Sequence, residues 1–233
     1  MTCGRLHSIE TLGTGDGQGI RTVFFLIGCP LRCAYCHNPD TWDGDGKEIT
    51  PEEVLRTAKR YKDYYADKGG VTFSGGEPLA QAEFVVECAE ILKADGINIT
   101  LDTAGFTLTE EVKKVLLLCD EILLDIKHTD FEIYHNLTKS NLQTALDTLD
   151  FLKKNGKRVV IRQVIVPGIS DGEDNIRRLY ELAGIYPVEL LAYHTLGEHK
   201  WENLGLMYTL KGVKPPTKEA LDRLKALKSI LKA

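Results

Sequence analysis

No stretch of this 233-residue chain approaches the roughly 18 consecutive apolar residues of a spanning helix, so no transmembrane segment is expected. Positive charge is not in excess either: 29 Lys and Arg face 34 Asp and Glu, a formal net charge of −5. That leaves no electrostatic footprint for nucleic acid or for an anionic membrane. The opening residues Met1-Thr2-Cys3-Gly4-Arg5 lack the apolar core of a secretory signal. Linkers, internal repeats and low-complexity segments are missing too, and a single domain over 1–233 is expected. The chain reads as a cytosolic monomer that keeps its cysteines reduced. Cysteine itself is sparse, with six in all and no ferredoxin-like array. What remains is ordinary for a globular protein: 43% hydrophobic, 27% charged, and long enough to bury a core.

Three of the cysteines are not scattered. Cys29, Cys33 and Cys36 stand at C-x3-C-x2-C within Gly28-Cys29-Pro30-Leu31-Arg32-Cys33-Ala34-Tyr35-Cys36-His37-Asn38. An iron–sulfur cube of four irons takes four thiolates as a rule. Three thiolates leave one iron without a protein ligand, open to a substrate or cofactor. Zinc is the competitor, because thiolates suit it as well. A structural zinc site wants a closed tetrahedral set. His37, adjacent to Cys36, is poorly placed to complete one, and no second cysteine pair follows. Cys88 and Cys119 lie in apolar runs and are expected to pack as small hydrophobes. Cys3 is assigned no role.

Strand signals, apolar and β-branched, recur at Thr22–Ile27, Val71–Phe73, Ile97–Leu101, Glu121–Ile126, Arg158–Val166 and Val188–Tyr193. Helical patterns alternate with them. One opens at Thr50 as N-cap, with Pro51 in the first turn and Glu53 closing a capping box. Others run over Gln81–Ala94, Thr109–Leu118, Leu142–Asn155 and Asp174–Gly184, and a last amphipathic one carries Leu221, Leu224, Leu227 and Leu231. This alternation predicts an α/β fold with a parallel sheet. The units are too few for a closed eight-stranded barrel. A partial (β/α)6 barrel is the preferred reading, and a doubly wound open sheet is the other.

In such folds reactive residues gather beyond the carboxyl ends of strands. The cysteine loop follows the first strand, Ser74-Gly75-Gly76-Glu77 the second and Asp102-Thr103 the third. Asp125-Ile126-Lys127 ends the fourth strand, and Tyr193-His194 ends the sixth. Arg162 is the exception, inside the fifth strand, where its side chain can point inward. Taken singly, each has a plain structural reading. Gly75-Gly76-Glu77 makes a tight turn with a capping Glu, and Lys127 and Arg162 are solvated cations at a sheet edge. His194 is a core histidine, and Asp102 and Asp125 cap helices.

C-x3-C-x2-C with an aromatic residue, Tyr35, just before the third cysteine resembles the radical S-adenosylmethionine (SAM) superfamily. The longer run Cys33-Ala34-Tyr35-Cys36-His37-Asn38-Pro39-Asp40-Thr41-Trp42 resembles one branch of it, the pyruvate formate-lyase activating enzymes. The likeness extends from Gly4-Arg5-Leu6-His7-Ser8 to Lys211-Gly212-Val213-Lys214-Pro215-Pro216. It implies a partial barrel and a [4Fe-4S] cluster on Cys29, Cys33 and Cys36, whose open iron SAM chelates through its amino and carboxylate groups. It implies further contacts to SAM from Tyr35, Cys36, His37, Gly75, Gly76, Glu77, Asp125, Lys127, Arg162 and His194. The last belongs to a Y-H-x-L-G motif. His199, in His199-Lys200-Trp201, is family-like but is assigned only loop packing. Asp102, Thr103 and Asp125 match positions that hold a monovalent cation, with Lys127 as the alternative neutralising group.

The glycine-rich stretch Gly13–Arg21 fails the dinucleotide pattern G-x-G-x-x-G, and no strand is expected before it. It resembles instead the D-G-x-G-x-R loop that meets the partner's glycine-bearing loop. Asp16, with His37, is therefore expected at the barrel mouth, serving the protein substrate. Three departures from the family stand out: Gln18 replaces a proline, Ala192 replaces the proline before Y-H, and Asn136–Asn141 lacks a glycine. The activity implied is reductive cleavage of SAM and hydrogen abstraction from a backbone glycine of pyruvate formate-lyase, in anaerobic glucose metabolism. The electron would come from a flavodoxin- or ferredoxin-type donor. The rivals are an activator of another glycyl radical enzyme, and a non-enzymatic electron carrier or zinc protein.

Overall fold

The computed structural model describes residues 2–44 and 46–230. In chain order the elements are β1 (Gly4–Gly13), β2 (Arg21–Leu26), β3 (Lys47–Ile49), α1 (Pro51–Tyr65), β4 (Gly70–Gly75), α2 (Ala82–Ala94), β5 (Asn98–Thr103) and α3 (Glu110–Leu118). Then come β6 (Glu121–Asp125), α4 (Phe131–Thr138), α5 (Leu142–Lys154), β7 (Val159–Ile165), α6 (Glu173–Ala183), β8 (Val188–Ala192), α7 (Glu198–Asn203) and α8 (Lys218–Ile230). The strands form one sheet in the order β3-β1-β2-β4-β5-β6-β7-β8. Neighbours from β2 to β8 are parallel, while β1 runs antiparallel to both β2 and β3. The six parallel strands are those predicted, and they lie side by side in chain order. A doubly wound sheet reverses the order of its parallel strands at a switch point; here β2, β4, β5, β6, β7 and β8 follow one another in one direction, with β1 and then β3 beyond β2. The sheet winds as a partial (β/α)6 barrel and stays open, with β3 at one edge and β8 at the other.

Register transmits a two-residue alternation across the sheet. Phe24 pairs with Phe73, Phe73 with Leu101, and Leu101 with Ile122. This row belongs to one buried core with Leu92, Leu116, Leu149 and Leu179 of the surrounding helices. Cys88 and Cys119 sit in that core, as expected, and Cys3 is exposed. The alternate positions Ser74, Asp102, Asp125 and Arg162 turn to the concave side and line a cavity. One face of the sheet thus carries the hydrophobic stabilisation, and the other is left for chemistry.

The capping box at α1 is present: Thr50 Oγ1 accepts from the Glu53 N–H at 3.3 Å, and Glu53 Oε2 accepts from the Thr50 N–H at 3.0 Å. Four elements escaped the sequence pattern. β1 does precede the glycine-rich loop, but Ser8 to Leu12 are exposed, so no apolar alternation marks it; pairing with β2 makes it a strand. β3 is short, as are α4 and α7, and periodicity needs more turns to show. Leu224 and Leu227 of α8 are buried, and Leu231 lies outside the described residues. Among the described residues no helix is long and apolar enough to cross a membrane.

Candidate active site

The cavity at the carboxyl ends of the parallel strands has a volume of about 410 Å³, within the usual range for a small-molecule site. Cys29, Cys33 and Cys36 all face it. Their loop is pinned from three sides. The Gly28 and Cys29 N–H groups donate to the Thr41 and Trp42 carbonyls at 2.8 and 3.1 Å. The Arg32 and Ala34 N–H groups donate to Thr138 and Leu137 at the end of α4, and the Cys36 N–H closes a turn onto Cys33. Burial pushes the Cys29 and Cys33 thiols up to about 12 and raises Cys36 as well. Only a strongly cationic ligand would draw such thiols into their ionised form. Among the described residues no three His, Cys, Asp or Glu side chains converge tightly enough to chelate one ion. Three thiols lining one cavity are the donor type that an iron–sulfur cluster takes.

Gly75-Gly76-Glu77 joins the end of β4 to that loop. Gly75 has φ +111°, and a Cβ there would lie 2.4 Å from the Leu26 nitrogen. A Cβ on Gly76 would lie 2.4 Å from the Gly28 carbonyl oxygen. Glycine is therefore required by backbone packing against β2 and the cysteine loop. Glu77 is fully buried at the cavity wall, and its carboxylate accepts from the Leu79 N–H at 3.1 Å, the Thr103 hydroxyl at 2.7 Å and the Ala104 N–H at 2.9 Å. Burial lifts its pKa from 4.5 to about 7, with those three donors pulling the other way.

Across the cavity, side chains of β5, β6 and β7 carry unspent hydrogen-bonding capacity. Lys127 Nζ meets Asp125 Oδ2 at 2.5 Å, and Ser74 donates to Asp102 Oδ2 at 2.9 Å. Among the described residues, Asp102 Oδ1, Asp125 Oδ1, Arg162 Nε and Nη1, and the Tyr35 hydroxyl are buried without a hydrogen-bond partner. Register sets Arg162 directly beside Asp125. Arg162 Nη1 stands 3.5 Å from Asp102 Oδ1, an ion-pair distance without hydrogen-bond geometry. Burial raises Asp102 to about 6, against the pull of Arg162 and with the push of Asp125 and Asp16. Lys127 stays charged: burial opposes it, but Asp125 beside it lifts its pKa well above the ordinary value. Orphaned buried polar atoms call for a partner. Carboxylate oxygens and a guanidinium that lack hydrogen-bond partners, with Glu189 a further 3.9 Å ion-pair neighbour of Arg162, suit a polar ligand with cationic and anionic ends.

Two placements differ from expectation. Asp16 does line the cavity, but from below the rim: its carbonyl accepts from the Thr72 hydroxyl in mid-β4 at 2.7 Å, where a loop at the mouth was predicted. The loop turns under the strands because the fully buried Arg21 holds the Gln18 carbonyl at 2.9 Å and the Thr72 hydroxyl at 2.6 Å. His199 lies on α7 rather than in a loop and is exposed. His37 and His194 are at the mouth, their ring centroids 3.8 Å apart. Burial, and then the neighbouring His194, drive the pKa of His37 down to about 4. The sequence reading passed over Trp42, which lines the cavity and meets Trp201 edge to face at 5.0 Å. Its only signal was its place at the end of the cysteine run.

Comparison with known proteins gives consistent findings. The profile of the radical SAM superfamily matches residues 23–180. The chain is similar to the pyruvate formate-lyase-activating enzyme of Clostridium pasteurianum, 45% identical over 99% of this chain and 100% of the relative. It is similar to the pyruvate formate-lyase 1-activating enzyme of Escherichia coli K12, 43% identical over 96% of this chain and 94% of the relative. Among solved structures it resembles a domain of pyruvate-formate lyase-activating enzyme from Bacteroides vulgatus, with TM-score 0.58 and 23% identity over 70% of this chain and 94% of that one. It also resembles Streptococcus suis SuiB bound to its precursor peptide SuiA, with TM-score 0.67 and 15% identity over 91% of this chain and 46% of that one. These two share the fold.

Proposed function

The chain belongs to the radical SAM superfamily and, within it, to the pyruvate formate-lyase-activating enzymes, and from that premise we propose that it installs a glycyl radical on pyruvate formate-lyase. The observation that carries this reading is the near full-length likeness to those activating enzymes. The cavity supports it by bringing three thiols and an unsatisfied zwitterion-binding set together at one end of the barrel.

A [4Fe-4S] cluster on Cys29, Cys33 and Cys36, when bound with SAM, supplies reductive cleavage to a 5′-deoxyadenosyl radical able to take a hydrogen atom from the partner's backbone glycine. The protein contributes placement and exclusion of side reactions. Asp125, Lys127 and Arg162 would contact the methionyl group of SAM, with Arg162 toward its carboxylate. Gly75 and Gly76 keep the wall low enough for close approach. Glu77, already holding three donors, braces that wall and offers its remaining lone pairs. Tyr35 and His194 complete the SAM surround. A monovalent cation at Asp102, Thr103 and Asp125 belongs to the proposal, with Lys127 competing to neutralise the same carboxylates. His37, at the mouth, and Asp16, on the cavity wall below it, meet the glycine-bearing loop. A flavodoxin- or ferredoxin-type reductant, a cytoplasmic location and a monomeric state complete the reading.

The test is anaerobic mixing of the iron- and sulfide-loaded protein with reductant, SAM and pyruvate formate-lyase, followed by electron paramagnetic resonance. A glycyl radical signal is expected. A loaded protein that cleaves SAM yet gives no signal here, but does with another glycyl radical enzyme, would reassign the partner. Absence of SAM cleavage would remove the enzyme reading altogether.

A further inference from the structure

The segment Cys36–Asp40 leaves the cysteine loop with little regular structure of its own: a single turn of 3-10 helix begins only at Pro39. Its conformation is set from far along the chain. Trp201 of α7 donates its indole N–H to the Cys36 carbonyl at 2.9 Å, across 165 positions of sequence. Lys200 Nζ donates to Asn38 Oδ1 at 2.9 Å and to both oxygens of Asp40, at 3.2 and 2.9 Å. Gly197, at the N-cap of α7, is pressed onto the residue between: a Cβ there would lie 2.6 Å from the His37 carbonyl oxygen and 2.7 Å from its ring. One short helix and its N-cap thus grip all three residues from Cys36 to Asn38, plus Asp40.

The grip is itself supported. Trp201 is buried, meets Trp42 at 5.0 Å and Tyr208 at 5.3 Å, both edge to face, and Tyr208 hydrogen-bonds Tyr193 at 2.7 Å between hydroxyls. His7 of β1 reaches Asp40 Oδ2 at 3.1 Å, an oxygen that Lys200 also holds. Cys36 and Ala34 pack against this aromatic group. A helix with no cavity-facing thiol or carboxylate of its own therefore fixes the backbone from which one of the three thiols projects.

We propose that Lys200 and Trp201, seated by Gly197, are positioning residues for the third cysteine arm: α7 is a strap that holds the Cys36 thiolate in register with Cys29 and Cys33. This rests on the reading of those three cysteines as cluster ligands. Partners that orient a metal ligand rather than bind the metal affect affinity strongly, commonly by a factor of ten or more. Removing the Trp201 N–H also leaves a carbonyl without its donor beside the ligand.

The experiment uses the reconstituted holoenzyme under anaerobic conditions. Trp201→Phe keeps an aromatic ring and removes the donor, Lys200→Met keeps the stem and removes the charge, and Lys200→Arg restores a cation able to reach Asp40. Iron release to a chelator, the electron paramagnetic resonance spectrum of the reduced cluster, and the melting temperature are measured for each. Trp201→Phe and Lys200→Met are expected to release iron roughly tenfold faster than wild type with an altered spectrum, a change larger than any fall in melting temperature accounts for, and Lys200→Arg to behave as wild type. Unchanged release and spectra in both variants would overturn the strap. So would faster release that only tracks a lower melting temperature and is equal in Lys200→Arg and Lys200→Met. A wild-type protein that takes up no iron and sulfide defeats the underlying cluster reading, and the strap falls with it.

Discussion

Glu77 sits where an acid is hardest to keep ionised, fully buried yet answered by three donors from two strand ends. Its folded pKa of about 7 lies above the ordinary 4.5. The folded state therefore binds the proton more tightly than the unfolded chain does. This contribution to stability is complete below 4.5 and is lost as the pH rises through about 7. Thermal unfolding of the SAM-free protein across that window, compared with Glu77→Gln, isolates it. The wild type should lose ground to the variant as pH rises, and parallel curves would show that Glu77 titrates as an ordinary carboxyl. The sequence made Glu77 visible through Gly75-Gly76-Glu77, but not its three donors. Thr103 and Ala104 stand 26 and 27 residues away, and only the β4–β5 pairing brings them in reach.

Among the elements, α4 shows what a missing glycine costs. Asn136–Asn141 lacks one, and the structure places Lys139 at the helix C-cap with φ +58° and ψ +20°. That left-handed conformation suits glycine, and a side chain there costs about 1 kcal/mol. The strain matters because α4 ends against the cysteine loop, where the Leu137 and Thr138 carbonyls accept from Ala34 and Arg32. Lys139→Gly should stabilise the protein by about 0.5–1 kcal/mol, raising the melting temperature by roughly 1–4 °C for a chain of this size. A lowered melting temperature would mean that the Lys139 side chain makes up for its backbone. The helix itself was not anticipated, because eight residues give barely two turns of periodicity. α7 was missed for the same reason, and its contacts to the cysteine segment are legible only once the chain has folded back.

Across the whole molecule, the winding of the sheet brings the ends of β5, β6 and β7 onto one concave wall, and this convergence makes the cation question testable. Asp102 and Asp125 each keep one oxygen without a hydrogen bond, while Lys127 and Arg162 supply two largely buried cations. If a monovalent ion joins them, replacing sodium and potassium with a bulky organic cation should weaken SAM binding, and Asp102→Ala should abolish that sensitivity. Affinity indifferent to the cation would leave Lys127 as the neutralising group. The sequence alone determined the cysteine triad, the six parallel strands and the residues at their carboxyl ends. Spacing, two-residue alternation and strand-end position are local properties, written in consecutive residues. Tertiary structure alone decided that the six parallel strands keep chain order across the sheet and that β1 is a strand. It also turned Asp16 below the rim rather than leaving it at the mouth, and laid α7 over Cys36. Each of these depends on a partner tens to hundreds of residues away, and whether the partner arrives is settled by pairing and burial that no single segment encodes.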